Sequence, residues 1–304
     1  MLCTRLSSRA NVVCETTYRV NLNYLGGRMK IIADTPTLYS PREGEKCGIK
    51  IIPACTIINN KVYKDFEDIS SEEFLEKVKN GALATTSQPV IGEIIDVFEE
   101  SKEELLVLPI GDGLSGTYQN ALGAKNCIEE NEHIHVINTK TLAGAQHYLV
   151  QKAKRLQDRG MELDGIIKEL KQSIESSISF VIPEDYDFLK RSGRLTPVAA
   201  KIASVIKIVP VLTQTEDKKK ITLFKIMRSK KKALDVILER LREVGVNEDY
   251  YITVSHAGIE KEAKKILEKI KEQFESTKTE LFELSPALIS HGGPGCIVIQ
   301  AIHK

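Results

Sequence analysis

The sequence predicts an α/β protein in two parts, a parallel-sheet N-terminal domain and a mixed-sheet α+β C-terminal domain. Two observations predict it. From residue 30 to about 175, short continuous aliphatic runs alternate with amphipathic stretches, the pattern of strands buried on both faces between covering helices. Beyond residue 178 the order changes. There, apolar runs flank a charged reversal, Glu216-Asp217-Lys218-Lys219-Lys220, and two amphipathic helices with further strands follow. At 304 residues the chain has the length of two ordinary domains, and it carries no internal repeat or low-complexity tract.

Residues 1–28 lack periodicity and an apolar signal core, and they read as an N-terminal extension outside the core. The first domain is expected over 29–177. Its candidate strands are Lys30–Asp34, Ile49–Ile58, Leu105–Ile110 and Ile134–Asn138. Ser70-Ser71-Glu72-Glu73 has capping-box spacing, with Phe74, Leu75 and Val78 behind it on one helical face. Pro89 suits the first position of a helix through Ile91, Ile94, Ile95 and Phe98. Another helix is expected to begin near Ser115 or Gly116, and Leu163, Ile166, Ile167, Leu170 and Ile174 form one helical stripe. The second domain, expected over 178–304, opens with the strand Ile178–Ile182. Strands Lys207–Leu212 and Ile221–Met227 flank the charged reversal. Helices Lys232–Val244 and Glu260–Phe274 then alternate with strands Tyr250–Ser255, Thr279–Leu284 and Cys296–Ile302.

Lysine and arginine total 43 against 42 acidic residues, a net charge of +1, so bulk charge makes no case for nucleic acid or an anionic membrane. No apolar run approaches the roughly 20 residues of a membrane span. The six cysteines are scattered without a Cys-x-x-Cys pair, and the histidines show no metal-ligand spacing. A reduced, cytoplasmic protein with free thiols and no metal is therefore expected.

Gly111-Asp112-Gly113-Leu114-Ser115-Gly116 fits the G-x-G-x-x-G pattern after a strand. A dinucleotide site also needs an acid at the end of the next strand, where this chain has Asn138. Ser115 resembles the serine of a nucleophile elbow whose last glycine is replaced by Thr117, with His256 or His291 available as base. A nucleotide-binding, kinase-like protein and a Ser115-dependent hydrolase or acyl transferase are thus the alternatives to a binding protein.

The anion-binding reading explains more residues. Thr85-Thr86-Ser87-Gln88-Pro89 and Gly113-Leu114-Ser115-Gly116-Thr117-Tyr118 both put hydroxyls where helices are expected to begin. Free N–H groups and the dipole at a helix start suit a carboxylate or phosphate. Capping alone accounts for the first segment taken singly. A second such turn, with the distant run His291-Gly292-Gly293-Pro294-Gly295, favours a site. His291 can donate to an anion, and Arg228 can offer a bidentate contact or lie free in water. Lys190-Arg191-Ser192-Gly193-Arg194-Leu195 reads as solvated charge or a docking surface. Val198, Ile202, Val205, Ile206, Ile208, Val209 and Val211 read as core or as the wall of a tunnel.

Five ordered motifs are similar to those of the DegV family of bacterial lipid-binding proteins, from Met29 to the C-terminus. They are residues 86–89 (Thr-Ser-Gln-Pro), 115–119 (Ser-Gly-Thr-Tyr-Gln), 189–195 (Leu-Lys-Arg-Ser-Gly-Arg-Leu), 228–233 (Arg-Ser-Lys-Lys-Lys-Ala) and 291–295 (His-Gly-Gly-Pro-Gly). The resemblance implies a two-domain DegV-like fold and a non-enzymatic protein without catalytic residues or cofactor. It implies a long-chain fatty acid in a buried tunnel, its carboxylate at the domain interface and presented to a separate fatty acid kinase subunit. Carried to matching positions, Thr86 and Ser115 take the carboxylate. Ser87, Gly116, Arg228 and His291 lie near the head group, and Arg194 engages the kinase. Two departures stand out: Ala33-Asp34-Thr35 replaces the usual Thr-Asp-Ser, and Cys296-Ile297-Val298 follows the terminal loop where another glycine is common.

Overall fold

A computed structural model describes residues 29–204 and 208–304. The extension expected at 1–28, together with Val205, Ile206 and Lys207, lies outside the described residues. The first half contains β1 (Met29–Asp34), α1 (Pro41–Lys46), β2 (Ile49–Ile52), β3 (Cys55–Ile58), β4 (Lys61–Lys64), α2 (Ser71–Lys79) and β5 (Ala84–Ser87). It continues through α3 (Ile91–Glu99), β6 (Glu104–Leu108), α4 (Thr117–Asn126), β7 (Ile134–Val136), α5 (Ala143–Asp158) and α6 (Leu163–Ser176). The second half contains β8 (Ile178–Ile182), α7 (Tyr186–Ser192), α8 (Pro197–Ala200), β9 (Val209–Gln214), β10 (Ile221–Met227) and α9 (Lys230–Glu243). It closes with β11 (Tyr250–His256), α10 (Glu260–Gln273), β12 (Lys278–Glu283), α11 (Pro286–Gly292) and β13 (Ile297–His303).

The fold is α/β, with a parallel sheet in the N-terminal region and a mixed sheet in the C-terminal region. The first sheet has the order β2-β1-β6-β7, and all its pairings are parallel. Its strands are the aliphatic runs, buried because helices cover both faces. Ile32, Leu105 and Ile134 pack on Phe98 and Ala121 of α3 and α4, while Ile31 and Leu106 pack with Leu149 and Leu170 of α5 and α6. The second sheet has the order β10-β9-β8-β13-β11-β12, with only β11 and β12 parallel. The charged reversal joins β9 and β10 as an antiparallel hairpin. Tyr251 and Ile302 of this sheet share the core of Ile31 and Leu149, so the two halves are packed together through α5 and α6.

One expected strand is two. Pro53 interrupts Ile49–Ile58, because proline offers no N–H to a ladder. β2 stays in the parallel sheet, whereas β3 turns away into a three-stranded antiparallel sheet of order β4-β3-β5. The hairpin β3–β4 turns on Asn59 and Asn60, both left-handed at φ 50° and 63°, which matches the twist of a two-residue loop. The capping box on α2 is present, with Ser70 accepting from the Glu73 N–H and Glu73 accepting from Ser70.

Candidate functional site

The segment around Thr86 does not open a helix. It forms β5, and α3 starts only at Ile91 with Val90 as N-cap, placing Pro89 ahead of the helix. β5 pairs with β3 so that Thr86 faces Thr56 and Ser87 faces Cys55. Side chains alternate across a strand, so Thr86 and Ser87 point to opposite faces. Thr86 is half-buried and its Oγ1 lies 2.9 Å from Nε2 of His291. Ser87 is exposed beside Cys55 and does not join that pair.

The run from His291 is likewise no simple loop. His291 and Gly292 finish α11, which Ser285 caps at its start by accepting from the Leu288 N–H. Gly293 then turns the chain towards β13 at φ +78°, where an added Cβ would come within 2.7 Å of the Phe188 ring. Glycine is required there by both backbone and space.

Ser115 sits where a helix start was expected, one residue before the N-cap Gly116 of α4. Its Oγ accepts from the Thr117 N–H at 3.3 Å and lies 2.9 Å from the Thr117 hydroxyl. Gly116 packs against Gln88, whose Oε1 would lie 2.8 Å from an added Cβ, so the two hydroxyl motifs are in contact. Asn120 reinforces this by donating to the Pro89 carbonyl at 3.2 Å. Arg194 arrives from the other side. Its backbone is held by Ile221 of β10, and its Nε donates to the Leu114 carbonyl at 3.2 Å. The residue expected to engage a partner therefore braces the Ser115 loop as well.

Thr86, the Ser115 loop, His291 and Arg194 thus meet on the rim of one apolar cluster. Leu114, Leu195 and Ile289, the near neighbours of three of them, belong to that cluster with Ile58, Phe74, Leu75, Val181 and Leu212. Arg228 stands apart, exposed at the end of β10 opposite Ile221 and without an ion pair among the described residues. Val198 is 67% exposed, so it does not wall an interior tunnel. Val211 is buried in the core formed with α9. Two cavities, about 440 Å³ against β10 and α9 and about 260 Å³ beside Ser177 and Gln214, share no residue with the Thr86–His291 cluster.

Burial, and secondarily the nearby Arg194 charge, pushes the His291 pKa down to about 3. A neutral imidazole facing a hydroxyl can accept or donate a hydrogen bond without competing charge. In ligand-free protein the His291 ring is therefore expected to stay neutral through mild acid, and a bound anion should raise its pKa. Ring ¹⁵N shifts followed against pH test this; titration near 6.5 in both states would contradict it.

Other features weigh on the alternatives. Ser115 has no histidine bonded to it among the described residues, its Oγ being engaged by Thr117. His256 ends β11, buried, with Nδ1 unpaired among the described residues. Asn138, standing where a ribose-binding acid would be, instead accepts from the Asp112 and Lys140 N–H groups at 3.1 and 3.0 Å. Among the described residues no group of three or more His, Cys, Asp or Glu could hold a metal ion, and no helix is long and apolar enough to cross a membrane.

A family model described as the DegV family of uncharacterised proteins matches residues 28–304. A DegV domain-containing protein of Staphylococcus aureus is 28% identical, over 90% of this chain and 98% of its own. The crystal structure of DegV, a fatty acid binding protein from Bacillus subtilis, is 28% identical with a TM-score of 0.81, covering 92% of this chain and 100% of that one. A DegV family protein from Thermus thermophilus shares the fold at a TM-score of 0.83 and 24% identity, covering 91% of this chain and 100% of its own. The chain belongs to the DegV family.

Proposed function

We propose that this protein binds a long-chain fatty acid as a non-catalytic carrier, with the carboxylate at Thr86, Ser115 and His291. The observation that carries this reading is the Thr86–His291 contact on the rim of an apolar cluster shared by both halves of the chain. A polar mouth over an aliphatic interior has the polarity pattern of a fatty acid. Arg194 supplies the nearby positive charge that hydroxyls lack. The Bacillus subtilis relative, described as a fatty acid binding protein, supports the same ligand class.

The tail is assigned to the cluster around Leu114, Leu195 and Ile289. Neither of the two cavities shares a residue with that cluster. Burying about fifteen methylenes at roughly 0.8 kcal/mol each gives a gross driving force near 12 kcal/mol. Association and ordering of the tail take up much of it, leaving a smaller net affinity. The carrier is proposed to act in the cytoplasm and to present the carboxylate to a fatty acid kinase subunit, with Arg194 at the contact.

Organic extraction of the purified protein followed by mass spectrometry tests the ligand class. One fatty acid per chain is expected; protein that neither carries nor takes up a fatty acid contradicts the proposal. Thr86→Ala and Ser115→Ala are each expected to weaken binding about tenfold, the loss of a hydrogen bond to a charged group, without unfolding the protein. Titration of apo protein with oleate measures this, and wild-type affinity in both variants would remove the assignment.

A further inference from the structure

We propose that Asp65 is the positioning residue of the carboxylate site, its buried side chain tying the strand pair that carries Thr86 to the helix that carries His291. This rests on the reading that the Thr86–His291 cluster holds an anion. Asp65 follows β4 and is fully buried. Its Oδ1 accepts from the Thr56 hydroxyl at 2.8 Å, and its Oδ2 accepts from the Ala287 N–H at 2.9 Å. The Thr35 hydroxyl adds a longer contact to Oδ2 at 3.5 Å.

The two close donors, Thr56 and Ala287, sit on the two elements that build the site. Thr56 on β3 is the direct cross-strand partner of Thr86 on β5. Ala287 lies in the first turn of α11, four residues and about one helical turn before His291. The same two elements are therefore joined twice, deep down through Asp65 and at the mouth through Thr86 and His291 at 2.9 Å. Just before α11, Ser71 donates to the Leu284 carbonyl at 2.8 Å and the Leu284 N–H donates to the His256 carbonyl at 2.9 Å, while within its first turn the Ala287 N–H reaches Asp65. Pro286 has no N–H, and Leu288 donates to Ser285 of the same segment. A buried carboxylate with hydroxyl and amide partners but no bonded cation among the described residues is costly unless its donors hold still, so it enforces one placement of α11 against β3. A shift of an ångström there would break the short contact at the mouth.

The test pairs Asp65→Asn, which keeps the volume and removes the charge, with Thr86→Val. In the otherwise wild-type protein, Asp65→Asn is expected to raise the oleate Kd roughly tenfold and to move the His291 ring ¹⁵N shifts of ligand-free protein. In the Thr86→Val background it should add less than about twofold, because Asp65 acts through the contact already removed. Unchanged His291 shifts overturn the proposal, as do losses that multiply in the double variant. Should wild-type protein bind no oleate, the carrier function falls, while the His291 shifts still decide the positioning role. If Asp65→Asn does not fold, Thr56→Val removes one donor to the same carboxylate and is read identically.

Discussion

Alanine in place of Gly111 is expected to cost about 2–3 kcal/mol of folding stability, the range of an overpacked interior, and to weaken oleate binding with it. Gly111 ends the stretch after β6, and a Cβ there would lie 2.7 Å from the Thr141 nitrogen and 2.8 Å from the Lys140 carbonyl carbon. Both neighbours are backbone and cannot swing aside. Gly111 also accepts through its carbonyl from the Leu114 and Ser115 N–H groups at 3.2 and 3.3 Å. Whatever relieves the clash therefore moves Ser115. Gly92→Ala is the control, since nothing lies within 4 Å of its added Cβ and it occupies α3. That change should be neutral or stabilise by a few tenths of a kcal/mol. Denaturant titrations of both variants check the pair, and a Gly111→Ala protein as stable as Gly92→Ala would contradict the packing account.

The same glycines explain how a nucleotide-like pattern arose without its chemistry. Gly111 is small because the Lys140–Thr141 backbone touches it, Gly113 because it is left-handed at φ +82° against Lys219, and Gly116 because Gln88 covers it. Each serves the packing of the loop, and Asn138 pins that loop by accepting from the Asp112 N–H. Periodicity and aliphatic runs made the two large sheets readable, since both record burial directly. The small antiparallel sheet was missed although Asn59-Asn60 is a turn signal, because a run of aliphatic residues across Pro53 looked like one strand. That miss turned Thr86 from a strand residue into a helix opener. Motif content singled out Thr86, Ser115 and His291 as candidates, but not the contact between Thr86 and His291, which spans 205 residues. Asp65 carried no local pattern at all. The one hint nearby was Thr56, a single hydroxyl within Cys-Thr-Ile-Ile, where a buried polar group needs a partner.

Replacing Asp34 by asparagine should change how stability responds to pH. Asp34 ends β1, is 2% exposed, and accepts from the Ile110 N–H at 3.1 Å and from Gln146 Nε2 at 2.7 Å. Burial pushes its pKa up from 3.8 to about 7 despite those donors. The folded state therefore holds a proton that the unfolded chain has released, so this stabilisation is complete below about pH 4 and is lost as pH rises through 7. Over that window it amounts to at most about 4 kcal/mol. Asp65, raised by burial to about 6, acts in the same sense over a narrower range. His147 and His291 oppose them. Burial lowers these imidazoles to about 4 and about 3, so their contribution is present above 6.5 and is lost as pH falls through those values. Wild-type stability should consequently vary little between pH 4.5 and 7, the acids and histidines offsetting each other. In Asp34→Asn the histidines are less opposed, and stability should climb by a few kcal/mol over the same interval. Urea titrations at pH 4.5, 5.5 and 6.5 measure both slopes. Equal slopes would mean that Asp34 is already ionised in the folded protein, held by Ile110 and Gln146 as an anion.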